Sequence, residues 1–321
     1  MITKNGQMSL FDEWLNKRSQ TTSLDKREHE AVKGTLDELF TLTSQYKTSK
    51  SYKNLMQFIA NFRFYSPFNA LLVHLQMPGA TYVAPPNRWL RDYRRRIKPG
   101  ARPLVILQPM GPVMFVFDIS DTLPLKGAPP LPIEVEKPFE VRKGNIRQEL
   151  EFVIENVKRD GVLIFESPGG SQSAGKIICN KTPYLDYLPY QSGYDKNRNP
   201  IYVKIPVRYI ININSKLSPE AKYATIVHEL AHLYCGHLGT PNNKWWPDRR
   251  GLTGPIQEFE AESVAYLVCK RIGLDIPSEQ YLADYIDRNE NVPAISLERV
   301  MKAAGLIKTM SRKKMKPRKK Q

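Results

Sequence analysis

One segment of the sequence, residues 218–237, strongly limits what the second half of this chain can fold into. It begins with Ser218 and Pro219. Serine caps the free amides of a helix, and proline fits the first helical position. Gly236, near the other end, is a common helix terminator. The segment therefore predicts a long helix between Ser218 and Gly236.

Two histidines on this predicted helix are spaced so that both can bind one metal ion. His228 and His232 flank Glu229 in the order H-E-L-A-H. Positions four apart lie on one helix face, while Glu229 lies one position around the helix, where its carboxylate can serve as a general base. The spacing is the H-E-x-x-H signature of zinc hydrolases and predicts Zn²⁺ as the cofactor. The alternative is a merely polar helix without a metal.

A catalytic zinc site needs a third protein ligand. His237 lies five residues after His232, whereas the metzincin pattern places its third histidine six residues on. We therefore interpret Cys235 and His237 as part of the helix end. The third ligand is expected elsewhere in the sequence.

A second predicted helix, from Pro255 to Gly273, offers acidic side chains. Glu258 and Glu262 lie one turn apart on one stripe, and two acids on an inward stripe are costly unless a cation meets them. We predict Glu258 as the third ligand and Glu262 as the residue that orients a ligand histidine. The reverse assignment is the alternative. Glu260 points away from Glu258 on a helical wheel and is predicted to be solvated.

The charge of the chain predicts a polyanionic partner. The 321 residues contain 48 Lys and Arg against 32 Asp and Glu, a formal net charge of +16. Such a surplus favours nucleic acid or an anionic surface. No apolar run is long enough to span a bilayer, and the three cysteines are too few for a disulfide framework. We expect a cytoplasmic protein with no membrane partner.

The segment from Asn87 to Pro103 combines basic and aromatic residues, as single-stranded DNA sites do. Trp89 and Tyr93 could stack on bases, and only Asp92 opposes the positive charge. In the alternative, Trp89 and Tyr93 pack into a core beneath a solvated helix. The candidate phosphate-binding residues are Arg88, Arg91, Arg94, Arg95, Arg96, Lys98 and Arg102.

The amino-terminal residues contain a further candidate motif. Gln7, Leu10 and Phe11 lie in QMSLF, which is similar to the short peptide by which bacterial proteins dock on the replication sliding clamp. A mobile Leu-Phe pair suits an apolar pocket. The alternative is a local helix start capped by Ser9. The sliding clamp is thus a candidate partner.

Composition and periodicity predict an α+β fold with two domains. We expect a flexible arm at 1–34, a DNA-binding domain at 35–122 and a proline-rich linker at 123–140. A metallopeptidase domain at 141–308 and a basic disordered tail at 309–321 follow.

The sequence resembles the ArdC antirestriction family in two regions. The carboxyl-terminal likeness lies in HELAH and EFEAESVAYL, which are also similar to ImmA/IrrE metallopeptidases. The amino-terminal likeness runs through SPFNALLVHLQ, the segment around Trp89, IKPGARPLVILQPM and FVFDISDT. Together they cover roughly residues 50–125 and 200–275.

The resemblance implies a single-stranded-DNA-binding domain followed by a zincin-like domain with a gluzincin-type site. The expected function is hydrolysis of peptide bonds in a protein target at DNA, in antirestriction or in evasion of phage and mobile-element defence. Two alternatives stay open. One is a non-proteolytic protective protein with a structural or vestigial metal site, and the other is an ImmA-like peptidase that cleaves a repressor.

Overall fold

A computed structural model of the protein describes residues 46–108, 111–131, 146–168, 174–182 and 185–318. The chain divides into two compact units, 1–140 and 141–321, and the division falls at the end of the segment that we interpret as a linker. Helices and sheets occur in both units, as an α+β fold requires. Within the described residues, no helix has both the length and the apolar character needed to cross a bilayer.

The amino-terminal unit places two helices on a small antiparallel sheet. The helices are α1 (Ser49–Asn61) and α2 (Pro67–Gln76), and the sheet has the order β1 (Val83–Ala84), β4 (Gly111–Asp118) and β3 (Leu104–Gln108). Ser66 caps α2 through its hydroxyl, and Pro67 occupies the first turn. In the sequence, the periodicity of residues 52–62 and 68–76 predicts these two helices, and the apolar runs at 103–110 and 112–120 predict β3 and β4. All four elements are confirmed to within a few residues.

The outer edge of β3 is closed by two amide side chains from α2. Asn69 exchanges two hydrogen bonds of 3.0 Å with the backbone of Leu107. Gln76 exchanges two, of 2.9 and 2.8 Å, with the backbone of Val105. Because each amide satisfies one backbone N–H and one C=O, β3 does not offer an open edge to another strand at these positions.

A second group of elements in this unit surrounds a buried tryptophan. They are α3 (Pro86–Tyr93) and a two-stranded sheet of β2 (Arg95–Ile97) and β5 (Thr122–Pro124). Trp89 is fully buried against Tyr82, Ala84 and Tyr93. Its indole N–H donates to the carbonyl of Phe117 at 2.9 Å, which fixes α3 to β4.

The carboxyl-terminal unit packs helices against a mixed sheet. The sheet has the order β6 (Val162–Ser167), β10 (Tyr209–Asn214) and β7 (Gly175–Cys179), with β10 parallel to β6 and antiparallel to β7. A hairpin of β8 (Tyr187–Tyr194) and β9 (Pro200–Pro206) accompanies it. The helices are α4 (Ile146–Val157), α5 (Pro219–Cys235), α6 (Gly254–Lys270), α7 (Pro277–Arg288) and α8 (Leu297–Met310).

The core of this unit lies where α5 and α6 pack together, with α4 and α8 against them. Both helices that the sequence predicts around the candidate site are present. The apolar run at 162–167 predicts a strand, and the β-branched segment 201–214 predicts one or two more, which correspond to β6, β9 and β10. The first strand of the hairpin, β8, and the last two helices were not predicted.

The prediction of a disordered tail is wrong for residues 311–318. Asn156 donates to the carbonyls of Met310 and Lys313 at 2.7 and 2.9 Å. Arg318 binds Asp160 at 2.6 Å. Asp160 is fully buried, so it needs cationic partners from wherever the chain can supply them. The basic composition of the tail predicted a solvated segment. It did not show that the buried carboxylate of Asp160 requires Arg318 as a partner.

Candidate metal centre

The helix α5 presents the two predicted ligand histidines from a well-fixed frame. Ser218 accepts a hydrogen bond from the backbone of Ala221, and Gly236 ends the helix at φ 90°. A Cβ at Gly236 would lie 2.2 Å from the carbonyl oxygen of Pro247, so only glycine fits at this position. The helix therefore ends where the sequence predicts, directly after the metal-binding motif.

The helix α6 lies against α5 and brings the predicted third ligand to the histidines. The Nε2 atoms of His228 and His232 are 3.2 Å apart. A carboxylate oxygen of Glu258 lies 3.7 Å from the first, and the other lies 3.5 Å from the second. All three ligand atoms fall within 4.8 Å of one another, with the Glu258 side chain half exposed. The structure thus brings the three proposed ligands together around one point.

The hydrogen bonds behind the two histidines determine which ring nitrogen is free. Nδ1 of His228 faces Glu262 at 3.6 Å. Nδ1 of His232 is 3.0 Å from Nδ1 of His237, whose Nε2 is 3.0 Å from Glu260. Since a carboxylate accepts, neutral His237 carries its proton on Nε2 and accepts at Nδ1. His228 and His232 then carry their protons on Nδ1.

This assignment leaves two unprotonated Nε2 atoms facing the same space, next to the carboxylate of Glu258. Three converging electron pairs repel one another unless a cation lies between them. Oε2 of Glu262 is also buried without a hydrogen-bond partner among the described residues. Two imidazoles and a carboxylate are a donor set that zinc accepts. The residues present therefore fit a zinc ion.

The electrostatics of the site agree with its geometry. Burial lowers the pKa of His228, but Glu262, Glu229 and Glu258 outweigh it, and the net shift of this pKa is upward. Hydrogen bonding to His232 holds the pKa of Glu258 below its usual value. Carboxylates thus surround the histidines closely enough to favour positive charge there, whether a proton or a metal ion carries it.

Glu229 is held against an edge strand. The backbone N–H of Ile177, in β7, donates to Oε2 of Glu229 at 2.9 Å. At the two ends of β7, Asn180 donates to Arg208 and Asn214 donates to Ala174. In an antiparallel pair the bonded residues alternate, so the even-numbered residues of β7 bond to β10. The N–H and C=O groups of Gly175, Ile177 and Cys179 therefore face away from β10.

A buried chain of polar groups supports His232 from behind. Glu260 is fully buried, and Arg249 binds its two carboxylate oxygens at 2.7 Å each. The backbone N–H of Ser296 donates to the same carboxylate at 2.7 Å. These contacts fix Glu260, which fixes His237, which in turn orients His232.

The prediction that Glu260 is solvated is therefore wrong. The face of α6 opposite Glu258 is covered by Arg249 and by the residues that precede α8, so it does not face water. Nothing in the spacing of the acids shows this. The apolar run from Val264 to Cys269 was the available signal, because it leaves the later turns of α6 without a solvent face.

Cys235, His237 and Glu260 also lie close enough together to form a metal-binding group. Their contacts argue against this use. Arg249, His237 and Ser296 already occupy the carboxylate of Glu260, and burial raises the pKa of the Cys235 thiol. A guanidinium where a second cation would bind marks this group as a support for His232.

Comparison with known proteins locates the likeness in the same region. Residues 181–269 match Peptidase_M78, the IrrE N-terminal-like domain. This range contains both histidines, Glu229, Glu258 and Glu262. The match supports a metallopeptidase of the ImmA/IrrE type. Membership of that class of enzyme implies a bound metal ion. The match does not extend to the amino-terminal unit, for which the likeness to ArdC proteins stays a prediction.

One relative aligns over most of this chain, and its name states no activity. The chain is 23% identical over 308 residues to an uncharacterized protein of Bacillus anthracis. The alignment covers 86% of this chain and 50% of the relative, so this chain spans about half the length of that protein. No solved structure was found to match the chain.

The basic segment of the amino-terminal unit differs from its predicted role in one respect. Trp89 is fully buried and Tyr93 is 7% exposed, with its hydroxyl 2.9 Å from that of Tyr82. Base stacking by these two rings is therefore excluded, because they fill the core of the unit. The sequence left core packing open as the alternative, and the spacing of four residues is its signal.

The predicted phosphate-binding side chains lie mainly on the surface. Arg95 binds Thr122, Lys98 donates to the carbonyl of Ser120, and Arg88 and Arg91 share Asp92. The exposed members are Arg91, Arg94, Arg96, Lys98 and Arg102. Two exposed aromatic rings of this unit, Phe64 and Phe115, were not singled out from the sequence.

Gln7, Leu10 and Phe11 lie outside the described residues, so docking on a sliding clamp stays a prediction.

Tyr281 of α7 is 38% exposed, and burial together with Glu258 and Glu262 raises the pKa of its phenol. Both acids of the metal centre thus act electrostatically on the hydroxyl of Tyr281, a residue that the sequence did not single out.

Proposed function

We propose that this protein is a zinc-dependent metallopeptidase in which His228, His232 and Glu258 hold the ion. The observation that carries this proposal is the convergence of two Nε2 atoms and one carboxylate around one point, with both histidines on the helix that also carries Glu229. The match of residues 181–269 to the M78 peptidase family supports the same class of reaction.

The chain supplies the proton transfers that peptide hydrolysis requires. A zinc ion bound here provides Lewis acidity, which polarises a carbonyl and makes water a stronger acid. Glu229 is the general base that takes the proton of the attacking water and then delivers it to the leaving amine. Glu262 and His237 hold the ligand histidines in the tautomer that metal binding needs.

The edge of β7 is suited to hold an extended peptide beside Glu229. β7 is the outer strand of its sheet within the described part of the chain, and its odd-numbered residues face outward. The N–H of Ile177 already donates to Glu229, so a peptide that adds to this edge would pair with the outward backbone groups of Gly175 and Cys179 on either side of it. Its scissile bond would then lie near the carboxylate. The closed edge of β3, in the other unit, offers no such surface at Val105 and Leu107.

The test compares zinc-loaded wild-type protein with Glu229→Gln on a mixture of denatured proteins, with new amino termini counted by mass spectrometry. We expect cleavage by the wild type and at least a hundredfold loss in the variant, with zinc content unchanged. Glu220→Gln, an acid-to-amide change in the first turn of the same helix, serves as the matched control. Equal cleavage by Glu229→Gln would contradict the proposal.

We further propose that the amino-terminal unit binds single-stranded DNA through its exposed arginines. The cluster of Arg91, Arg94, Arg96, Lys98 and Arg102 carries positive charge against one neighbouring acid, Asp92. Since Trp89 and Tyr93 are buried, the exposed rings of Phe64 and Phe115 are the candidates for base stacking among the described residues. This binding would bring the peptidase to protein targets at DNA, as expected of an ArdC-type antirestriction protein.

The DNA proposal is tested by fluorescence anisotropy with a labelled oligonucleotide. Changing Arg91, Arg96 and Arg102 to Gln should weaken binding by an amount that shrinks as salt is raised. The control removes the same charge from three exposed basic residues of the β8–β9 hairpin region, Lys196, Arg198 and Lys204. Equal losses in both triple variants would show that only total charge matters and would sink the assignment to this cluster.

A further inference from the structure

A surface cavity lies at the carboxyl end of β7, close to the proposed peptide edge. Its volume is about 270 Å³, enough for one large side chain. Cys179 and Asn180 form its wall on the β7 side, Arg208 and Tyr209 on the β10 side, and the residues after α5 close it together with Arg250. The proposed catalytic residues do not line it.

The cavity is positively charged. Two arginines, Arg208 and Arg250, are among its lining residues, and no acidic residue is among the described ones. Arg250 binds Asp248, whereas Arg208 lies over the ring of Trp245 with its Cζ 5.9 Å from the centroid. One positive charge is thus balanced by a neighbouring carboxylate, and the other is held by an aromatic face that leaves its charge in place.

The position of the cavity along β7 relates it to the metal centre. Ile177 contacts Glu229, and Cys179 lies two residues further along the strand, or about 7 Å. Side chains two apart on a strand share one face, so Cys179 lies on the face that carries Ile177. A peptide residue opposite Cys179 would project its side chain beside that of Cys179, at the mouth of the cavity.

We propose that this cavity is a specificity pocket for an acidic side chain of the peptide substrate. The preferred Asp or Glu is the substrate residue that lies opposite Cys179 on the outer edge of β7. Its carboxylate accepts hydrogen bonds from the guanidinium of Arg208, and Arg250 adds positive potential. The inference rests on the proposed function, because it names the class of peptide that the same site would bind.

Cys179 provides a binding readout that does not depend on catalysis. It is the exposed cysteine of the three in the chain, and Cys235 and Cys269 are buried. The experiment uses the full-length, zinc-loaded Glu229→Gln protein and follows alkylation of Cys179 by iodoacetamide, a neutral reagent. The probes are blocked octapeptide libraries of uncharged residues with either Glu or Gln fixed at one position.

We expect the Glu library to protect Cys179 at about tenfold lower concentration than the Gln library, as one charge-assisted hydrogen bond predicts. Arg208→Gln should remove this difference, and Arg250→Gln should reduce it. Lys244→Gln, the same charge change at an exposed residue outside the cavity, should keep it. Within the described part of the chain, the ion pair of Arg250 is with its near neighbour Asp248, so the Arg250 variant guards against a folding defect in Arg208→Gln.

Equal protection by the two libraries would overturn the inference. Protection by inorganic phosphate but not by the Glu library would also overturn it, because the cavity would then be a small-anion site. Cleavage by the wild type without preference for acidic residues would refute the pocket and leave the peptidase proposal intact. Glu-specific protection in a protein that cleaves nothing would refute only the peptidase proposal.

Discussion

Replacing His237 with Phe should weaken zinc binding although His237 is not a ligand. The change removes the acceptor for the Nδ1–H of His232, which lies 3.0 Å away. Without this partner the ring of His232 is free to turn and to protonate at Nε2, the atom that faces Glu258. Loss of such a supporting contact costs about 10–100-fold in metal affinity, or about 1.4–2.7 kcal/mol.

The cost in stability should stay smaller than for other changes in this network. His237→Phe loses two hydrogen bonds, those to His232 and Glu260, which together are worth about 1–3 kcal/mol. Glu260 keeps both hydrogen bonds from Arg249 and the one from Ser296. In Glu260→Gln the guanidinium of Arg249, whose side chain is 14% exposed, loses its carboxylate. Breaking a buried pair costs about 3–5 kcal/mol. His237→Phe is therefore the cleaner perturbation.

The assay is competition for zinc between the protein and a chelating dye. The pH is chosen so that His237 is neutral both with and without bound zinc. Thermal unfolding of the metal-free proteins runs alongside it. His237→Gln, which keeps an acceptor and a donor, should recover part of the affinity. His74→Phe, at the buried histidine of the other unit, should leave zinc binding unchanged. Wild-type zinc affinity in a folded His237→Phe protein would refute the supporting role.

Three further predictions concern stability. Trp89→Ala should destabilise the amino-terminal unit by about 3–5 kcal/mol in urea unfolding, because the ring is fully buried; a loss below 1 kcal/mol would contradict its place in the core. Arg318→Gln should expose residues 311–318 to proteolysis at about 1–3 kcal/mol cost, since Asp160 retains Arg159; unchanged digestion would count against the observed docking. Burial lowers the pKa of Lys308 to about 6, below its unfolded value of about 10.5, so between these values the unfolded chain holds the extra proton. The melting temperature should therefore rise with pH across that window, and Lys308→Met should flatten the rise. Identical slopes for the wild type and the variant would refute the lowered pKa of Lys308.

The parts of the site that follow from helical periodicity were predictable. His228, Glu229 and His232 share one helix, so their relative positions depend only on the 3.6-residue period. Ser218 and Gly236 signal its ends by local backbone chemistry, and the structure confirms both. The placement of Glu258 near the histidines depends on packing between two helices. It was inferred from the cost of burying acids without a cation.

The parts that depend on what covers a surface were not predictable in the same way. Glu260 was placed in solvent because a helical wheel gives directions and does not show what lies there. Arg249 and Ser296, which meet it, come from loops whose paths no periodicity encodes. Trp89 and Arg318 show the same limit. Aromatic residues occur both on surfaces that stack on bases and in cores. Basic residues occur both in solvated tails and in tails that dock on the protein.

The role of Glu258 is the point on which the metal centre depends most directly. The measurement is zinc content by atomic emission, after purification and dialysis, for wild type, Glu258→Ala and Glu262→Ala. We predict one zinc per wild-type chain, loss of most zinc in Glu258→Ala, and retention with weaker affinity in Glu262→Ala. Full zinc content in Glu258→Ala, with loss in Glu262→Ala, would contradict the assignment. Absence of zinc from the wild type after reconstitution would contradict the site itself.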